Sequence, residues 1–214
     1  RACATSAMRD AKNGVKILKK IRKETGIDIE ILNGSEEAKI LYNNSIESAE
    51  SVSGNYAYVD VGGGSTEISL LSDGKLVGSC SYNIGTLRLL SGAVSPDVID
   101  TMRSDLSGYA KEYPGINIEG SGGNINKLSR MFHESSKKSK NNVLPVKNLQ
   151  QIHDEIKPLT VAERIAKYGL KPDRADVIIP AAEIFLNVAQ ALNCTEIHVP
   201  NISLADGIID GLVK

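Results

Sequence analysis

The sequence predicts an α/β fold in which a mixed β-sheet is flanked by helices. Short apolar, strand-like runs alternate with amphipathic helical stretches along the chain, which is the pattern of layered α/β proteins. Between residues 56 and 82, three strand-like runs follow one another with only short turns between them. Such consecutive strands predict an antiparallel meander within the sheet.

The N-terminal part is predicted to alternate strand, helix, strand, helix. Residues 1–4 have the character of a strand end, and apolar residues at three-residue spacing predict a helix over 7–25 that Gly26 ends. Alternating character over 28–32 predicts a second strand. A second helix is expected over 36–48, before the meander.

The C-terminal half is predicted to be largely helical, with two further strands. Pro96 suits the first position of a helix that runs to Glu112, and Pro158 and Gly169 delimit two short amphipathic helices. The polar, Lys-rich stretch 133–147 is expected to be a surface loop. The expected elements are helices over 87–90, 96–112, 125–132, 149–156, 160–168, 174–192 and 204–212, and strands over 116–119 and 196–199.

Composition excludes several classes of protein. The chain has 214 residues, enough for one domain or two small ones. A net charge of −1, 4% aromatic residues and the lack of Trp argue against nucleic-acid binding. No apolar run approaches the ~18 residues of a membrane span, and no signal peptide is visible, so we expect a cytoplasmic protein. The cysteines at 3, 80 and 194 are expected to be buried thiols.

The stretch DVGGGSTE, Asp60 to Glu67, organises the candidate site. Three successive glycines between two strands let the backbone turn tightly and expose its N–H groups, an arrangement that suits a phosphate. Asp60 ends the first strand, where its carboxylate could face a divalent metal ion beside that phosphate. Ser65 and Thr66 add hydroxyl donors, and Glu67 adds a second acid.

A hairpin whose glycines only satisfy turn geometry is the alternative interpretation of this stretch. The dinucleotide-binding fingerprint does not fit, because it needs a helix after the glycines. Here residues 68–71 have the character of a strand closed by an Asp73-Gly74 turn. The acids on both flanks and the hydroxyls beside the turn favour phosphate binding.

Other candidate residues also have structural alternatives. Glu36 and Glu37 would both be favourable in the first turn of a helix, or one of them could activate a water molecule. Arg9 is either a solvated arginine or a guanidinium held near an anion. The turn at 120–124, between a strand and a helix, is either a plain turn or a second phosphate contact. The three histidines show no ligand spacing and are given no role.

Four segments, in this order, resemble the exopolyphosphatase/guanosine pentaphosphate phosphohydrolase (Ppx/GppA) family of the actin-like (ribonuclease H-like) superfamily. They are ATSAMRDA at 4–11, GSEEA at 34–38, DVGGGSTE at 60–67 and the glycine pair at 122–123. Similar stretches are RADVI at 174–178 and DGI at 206–208. The resemblance spans essentially the whole chain. It implies that residues 1–214 form essentially one actin-like domain.

The resemblance implies hydrolysis of a terminal phosphate from inorganic polyphosphate or guanosine pentaphosphate, with Mg²⁺ or another divalent cation. It implies that Glu37 positions or deprotonates the attacking water, and that Asp60 and Glu67 organise metal and water. The residues that it implies in phosphate binding are Arg9, Gly62, Gly63, Gly64, Ser65, Thr66, Gly122, Gly123 and Asn124.

Three features depart from the family pattern. The family opens with a phosphate loop of the form Asp-x-Gly-Ser-Asn-Ser, whereas this sequence begins at Arg1. We therefore expect the central and C-terminal part of a longer phosphatase, weakly active or inactive by itself. Asn124 stands where Thr is usual, although it can still donate a hydrogen bond. Pro180 and the segment 200–203 also differ and are interpreted as structural.

Two other functions stay open at this point. An ATP-binding kinase or ATPase of the same superfamily would bind adenine nucleotides tightly, whereas Glu37 ahead of the glycine stretch favours hydrolysis. A non-catalytic binding module would release no phosphate. The sequence does not decide between polyphosphate and guanosine pentaphosphate, and it leaves a homodimer open.

Overall fold

The computed structural model describes residues 1–33, 36, 40, 53–136, 142–200 and 204–213. The described strands form a six-stranded sheet and a separate two-stranded pair. Helices pack against the larger sheet. The predicted α/β class, with a mixed sheet flanked by helices, is therefore confirmed.

The N-terminal segment carries the two-stranded pair. Strands β1 (Ala2–Ala4) and β2 (Ile29–Ile31) are parallel. Helices α1 (Ser6–Asp10) and α2 (Gly14–Thr25) lie between them in the chain. The prediction of one helix over 7–25 is therefore wrong.

The break between α1 and α2 has a local cause. Ala11 is extended, with φ −70° and ψ 121°. The chain then returns so closely that a Cβ on Gly14 would lie 2.4 Å from the carbonyl oxygen of Met8, which only glycine permits. Gly26 ends α2 in the left-handed conformation, as predicted.

The larger sheet contains the predicted meander at one side. Its strands are β3 (Asn55–Val61), β4 (Thr66–Ser72), β5 (Lys75–Tyr82), β6 (Asn117–Ser121), β7 (Val143–Pro145) and β8 (Glu196–His198). Their spatial order is β5-β4-β3-β6-β8-β7. The β3–β4 and β4–β5 pairs are antiparallel, β3–β6 and β6–β8 are parallel, and β7 is antiparallel to β8. The sheet is thus mixed.

Eight further helices are described. They are α3 (Thr86–Leu90), α4 (Pro96–Glu112), α5 (Gly123–Ser136), α6 (Val146–Ile156), α7 (Val161–Tyr168), α8 (Pro172–Ala175), α9 (Ile178–Ala191) and α10 (Leu204–Val213). The bounds of α4 agree with the prediction. Helix α7 begins with a capping box in which Thr160 and Glu163 satisfy each other's backbone amides.

One hydrophobic core joins the sheet to these helices. Ala57 and Val59 of β3 and Ile118 of β6 are fully buried in a cluster that includes Phe185 of α9. Burying a side chain as large as Phe185 contributes about 1.5–3 kcal/mol. Strand β3 alternates, so its other face carries the half-buried Asp60. That face holds the candidate site.

Two predictions for the C-terminal half are wrong. Residues 133–147 were expected to be a loop, yet their described part includes the end of α5, all of β7 and the start of α6, and residues 137–141 lie outside the described ones. Leu144 of β7 is buried where it pairs with Ile197 of β8, a long-range contact that local composition does not reveal.

The long helix expected over 174–192 is divided into α8 and α9. Pro180 explains the division, because in a continuous helix its ring would clash with the carbonyl of Asp176, four residues earlier. In the first turn of α9 the same proline costs no intrahelical hydrogen bond. The helix expected over 36–48 lies outside the described residues except for Glu36 and Ile40, which are helical.

The cysteines differ from the prediction in their burial. Cys3, Cys80 and Cys194 are half-buried, and none forms a disulfide. Burial raises the pKa of Cys194 to about 11, and its Sγ donates to the carbonyl of Ile116 at 2.9 Å. Among the described helices, none has the length and apolar character that a membrane crossing needs.

Candidate functional site

The glycine loop, Gly62–Ser65, connects β3 to β4. Within it, the amide of Gly62 donates to the carbonyl of Ser65 at 2.9 Å. The first turn of α3 holds the loop from one side: the N–H of Thr86 donates to the Gly62 carbonyl at 3.0 Å, and the N–H of Leu87 donates to the Gly63 carbonyl at 2.9 Å. The loop is thus fixed by the helix N-terminus that follows the meander.

Gly85 allows this close approach. A Cβ at Gly85 would lie 2.4 Å from the carbonyl oxygen of Gly63 and 2.5 Å from the carbonyl carbons of Gly63 and Gly64. These are backbone atoms that cannot turn aside, so a side chain at residue 85 would displace the glycine loop. The sequence pattern alone marked Gly85 only as part of the lead into a helix.

The amides of the glycine loop point away from α3. In a planar trans peptide, the C=O of one residue and the N–H of the next point in opposite directions. Because the carbonyls of Gly62 and Gly63 are bonded to α3, the N–H groups of Gly63 and Gly64 are directed to the other side. Within the described part of the chain, these two amides have no hydrogen-bond acceptor. Two half-exposed amides directed away from α3 suit an anion.

The two predicted metal-binding acids lie side by side. Asp60 of β3 and Glu67 of β4 are directly paired in the antiparallel register, so their side chains leave the same face of the sheet with Cβ atoms about 4.5–5.5 Å apart. Glu67 is 3% exposed, and the hydroxyl of Ser81 on β5 donates to its Oε1 at 3.1 Å. Ser81 is a residue that the sequence analysis missed.

This pair fits a hard divalent cation. Mg²⁺ is typically held by one or two carboxylates, with water and substrate phosphate completing its octahedron. Asp60 and Glu67 offer that donor set next to the glycine loop. Over the described ranges, no group of three or more His, Cys, Asp or Glu side chains could hold a metal ion. Asp60 and Glu67 therefore suit a cation whose other ligands are water and a bound phosphate.

The second glycine turn lies against the same acid. Asp60 pairs with Ser121 of β6 in parallel register. Gly122 has φ +104°, and a Cβ on it would lie 3.0 Å from Oδ1 of Asp60. Helix α5 begins at the next residue, Gly123, so the residue that Asp60 approaches directly precedes the N-terminus of a helix. Tertiary structure thus joins two turns that are about 60 residues apart in sequence.

Arg174 is another residue that the sequence analysis left out of the site. A Cβ on Gly123 would lie 2.2 Å from Nη1 of Arg174, and Nη1 is 3.4 Å from Oδ1 of Asn124. The guanidinium therefore packs directly on the second glycine turn. The similarity of the segment 174–178 to the family was the available signal, but nothing local connected it to residues 123–124.

A basic pocket opens beside this arginine. It has a volume of about 320 Å³ and its cationic lining residues are Lys127, Arg130, Lys171 and Arg174. Among the described residues, no acidic side chain lines it. The ammonium of Lys127 donates to the carbonyl of Tyr168 at 2.9 Å, which orients that side chain. A polyanion would be attracted to this pocket.

For three predicted site residues, the described contacts do not show the predicted role. Nη1 of Arg9 donates to the carbonyl of Leu32 at 2.6 Å, at the end of β2. The hydroxyl of Thr66 is fully buried and donates to the carbonyl of Ile84 at 2.6 Å, so it braces the loop. Glu37 lies outside the described residues. Their proposed roles stay predictions.

A second polar row crosses the same sheet face. Glu119 of β6 pairs with Tyr58 of β3 on one side and with His198 of β8 on the other. Burial raises the pKa of the Glu119 carboxyl, and the nearby His198 partly offsets this by lowering it. Tyr58 and Glu119 precede Asp60 and Ser121 by two residues on their strands, so all four side chains lie on the same side of the sheet.

A cleft separates the glycine loop from α1. It has a volume of about 410 Å³, and Thr5 and Asp10 line it on one side and Gly63, Gly64 and Arg88 on the other. Nη2 of Arg88 lies 2.5 Å from Oδ2 of Asp10, which joins the two walls. The N-terminal segment is therefore connected to the glycine loop.

The whole chain matches a known protein family. The model of the Ppx/GppA phosphatase family covers residues 1–214. Exopolyphosphatase 1 of Mycobacterium tuberculosis is 25% identical over 225 residues, which cover 97% of this chain and 65% of the relative. The guanosine-5'-triphosphate,3'-diphosphate pyrophosphatase of Aeromonas salmonicida is also 25% identical, over 100% of this chain and 45% of the relative. The chain thus spans about 65% of the mycobacterial relative's length.

Solved structures show the same fold. A Ppx/GppA family member from Aquifex aeolicus superposes with a TM-score of 0.77 and 24% identity, over 100% of this chain and 73% of that one. An exopolyphosphatase from Cytophaga hutchinsonii superposes with a TM-score of 0.82 and 22% identity, over 99% of this chain and 74% of that one. The predicted actin-like α/β fold is confirmed.

Proposed function

Because this chain belongs to the Ppx/GppA phosphatase family, we propose that it takes part in releasing the terminal phosphate of a phosphoanhydride chain. The observation that carries the proposal is the glycine loop, whose amides are directed away from α3 and which joins the two strands on which Asp60 and Glu67 are paired. Phosphoryl transfer depends mainly on positioning and on neutralising charge. Amides and a carboxylate-bound cation supply those two needs.

In this mechanism the glycine loop binds the terminal phosphate through the N–H groups of Gly63 and Gly64. Asp60 and Glu67 would hold Mg²⁺, which when bound would neutralise charge on the phosphate oxygens. Glu37 orients the attacking water or accepts its proton, and Arg9 contributes positive charge near the phosphate. Helix α3 keeps the loop in place while negative charge develops on the transferred phosphate, so the amides do not need to reorganise.

Two substrates are proposed, inorganic polyphosphate and guanosine pentaphosphate. Both carry phosphates beyond the terminal one, and the basic pocket at Lys127, Arg130, Lys171 and Arg174 is a suitable place for that remaining negative charge. The names of the relatives support both, since one is an exopolyphosphatase and another is a guanosine-5'-triphosphate,3'-diphosphate pyrophosphatase. We propose release of the terminal phosphate as the activity of the whole protein.

Phosphate release from each substrate tests the proposal. The 214-residue chain is compared with a full-length form, defined as this chain extended by the family's Asp-x-Gly-Ser-Asn-Ser loop segment, each with Mg²⁺ and with a chelator, and each beside Glu37→Gln. We expect release by the full-length protein that requires both Mg²⁺ and Glu37, and little or none by the shorter chain. Ligand binding without release by any form would contradict the enzyme proposal and favour a binding module. Tight adenine-nucleotide binding would favour a kinase or ATPase.

A further inference from the structure

The third carbonyl of the glycine loop is held by a side chain. The carbonyls of Gly62 and Gly63 are bonded to backbone amides of α3, but the carbonyl of Gly64 accepts from Nε of Arg88 at 2.8 Å. By the antiparallel geometry of a trans peptide, this bond sets the direction of the next amide, that of Ser65. One guanidinium therefore directs the amide of Ser65, a residue that is 2% exposed, away from α3 like the amides of the half-exposed Gly63 and Gly64.

The same guanidinium reaches the opposite wall of the cleft. Its Nη2 lies 2.5 Å from Oδ2 of Asp10. Asp10 is the last residue of α1 and follows Arg9 directly. The side chain of Arg88 is 27% exposed and that of Asp10 is 45% exposed, so the contact is partly screened from solvent at the arginine. The planar fork of arginine can donate in these two directions at once, which the single ammonium of lysine does less well.

We propose that Arg88 is a positioning residue for phosphate binding. Through the Gly64 carbonyl it aligns the Ser65 amide with the two preceding amides of the glycine loop. Through Asp10 it sets the separation between that loop and α1, the helix that carries Arg9. In this role the guanidinium acts through the Gly64 carbonyl and Asp10, which engage its Nε and its Nη2. The identification of the anion as a substrate phosphate rests on the proposed function.

If Arg88 and Asp10 formed only an ordinary surface ion pair, a different result would be expected. An exposed arginine–carboxylate pair contributes about 0–1 kcal/mol to stability and has no effect on a distant reaction. If Arg88 were only such a pair, its loss would leave the Ser65 amide unchanged. The distinguishing observable is therefore the response of individual loop amides to a phosphate ligand.

The experiment uses the full-length protein labelled with ¹⁵N and titrated with pyrophosphate in the presence of Mg²⁺. In the wild type, the amide resonances of Gly63, Gly64 and Ser65 should all shift. In Arg88→Lys, which keeps the charge, the Ser65 shift should fall by more than half while the Gly63 shift persists. Asp10→Asn keeps a hydrogen-bond acceptor and should give a smaller loss. Arg103→Lys, which alters an exposed contact to Asn187 on α9, is the matched control and should behave as the wild type.

Steady-state phosphate release provides the second readout. We expect Arg88→Lys to lower kcat/KM about tenfold or more, because one of three preorganised donors is misaligned, with an unchanged Tm. An unaltered Ser65 shift in Arg88→Lys, or equal loss of all three amide shifts, would overturn the positioning role. If the wild type releases no phosphate while its three amides respond as expected, the proposed function fails and the positioning role stands.

Discussion

Asp60 lies directly opposite Glu67 across the β3–β4 pair, with the glycine loop connecting their strands. The same Asp60 carboxylate approaches Gly122, at the turn into α5. Asp60 thus lies beside both glycine turns and beside the carboxylate of Glu67. Changes at or around Asp60 should therefore affect both phosphate chemistry and local stability.

Replacing Asp60 by Asn or Glu67 by Gln removes one negative charge with almost no change in volume. We expect Mg²⁺-dependent phosphate release by the full-length protein to fall about 100-fold or more, since a cation held by fewer charges stabilises the transition state less. The concentration of Mg²⁺ that gives half the maximal rate should rise. Glu196→Gln, at an exposed position of β8, is the control. An unchanged Mg²⁺ dependence in Asp60→Asn and Glu67→Gln would argue against the carboxylate site.

Thr66→Val tests whether the Thr66 hydroxyl braces the loop or binds substrate. The change leaves the buried carbonyl of Ile84 without its donor, so we expect a loss of about 1–3 kcal/mol in the free energy of unfolding. Urea denaturation measures this loss. Thr66→Ser keeps the hydroxyl and should retain most of the hydrogen bond. A large fall in activity with unchanged stability would instead support the phosphate-binding role predicted from sequence.

Gly122→Ala should destabilise the protein. The residue has φ +104°, and the new Cβ would lie 3.0 Å from Oδ1 of Asp60. We expect a cost of about 1–3 kcal/mol from the backbone conformation, together with reduced phosphate release as Asp60 moves. Gly108→Ala is the matched control, because residue 108 is exposed within α4 and no atom would approach its Cβ. That control should raise stability by up to about 1 kcal/mol, and equal effects of the two changes would contradict the prediction.

Glu119→Gln should change how stability depends on pH. Because burial raises the folded-state pKa of Glu119 above its ordinary value, the folded protein binds a proton more readily than the unfolded chain. Its contribution to stability is therefore lost as pH rises from the ordinary value through the raised pKa. The glutamine side chain does not titrate and so loses no stability as pH rises. Glu119→Gln should therefore be more stable than the wild type at pH 7 and should lose this advantage toward pH 4.

Thermal unfolding across pH 4–8 measures the Glu119 effect. Glu196→Gln is again the exposed control and should leave the profile unchanged. A constant difference between Glu119→Gln and the wild type across this range would indicate altered packing instead of titration. Removing His198 as well should enlarge the penalty on the charged form of Glu119, because the histidine lowers that pKa.

The sequence by itself determined the features that depend on neighbouring residues. Alternation and the Asp73-Gly74 turn predict the meander, Pro96 marks the start of α4, and the glycine triplet predicts the turn at 62–64 with Asp60 beside it. These predictions succeed because φ preference, period and capping act over a few residues. The resemblance to the family likewise depended only on the motifs and their order along the chain.

Tertiary structure alone decided which distant groups meet. Parallel pairing of β3 with β6 places Gly122 against Asp60, and the packing of α8 places Arg174 on the second glycine turn. Pairing with β8 makes residues 143–145, which lie within the stretch expected to be a loop, into strand β7. Only the position of α3 shows that Gly85 must be a glycine and that Arg88 holds the Gly64 carbonyl. These contacts join residues 21 to 62 positions apart, and their geometry is set by packing of whole elements, which no local pattern contains.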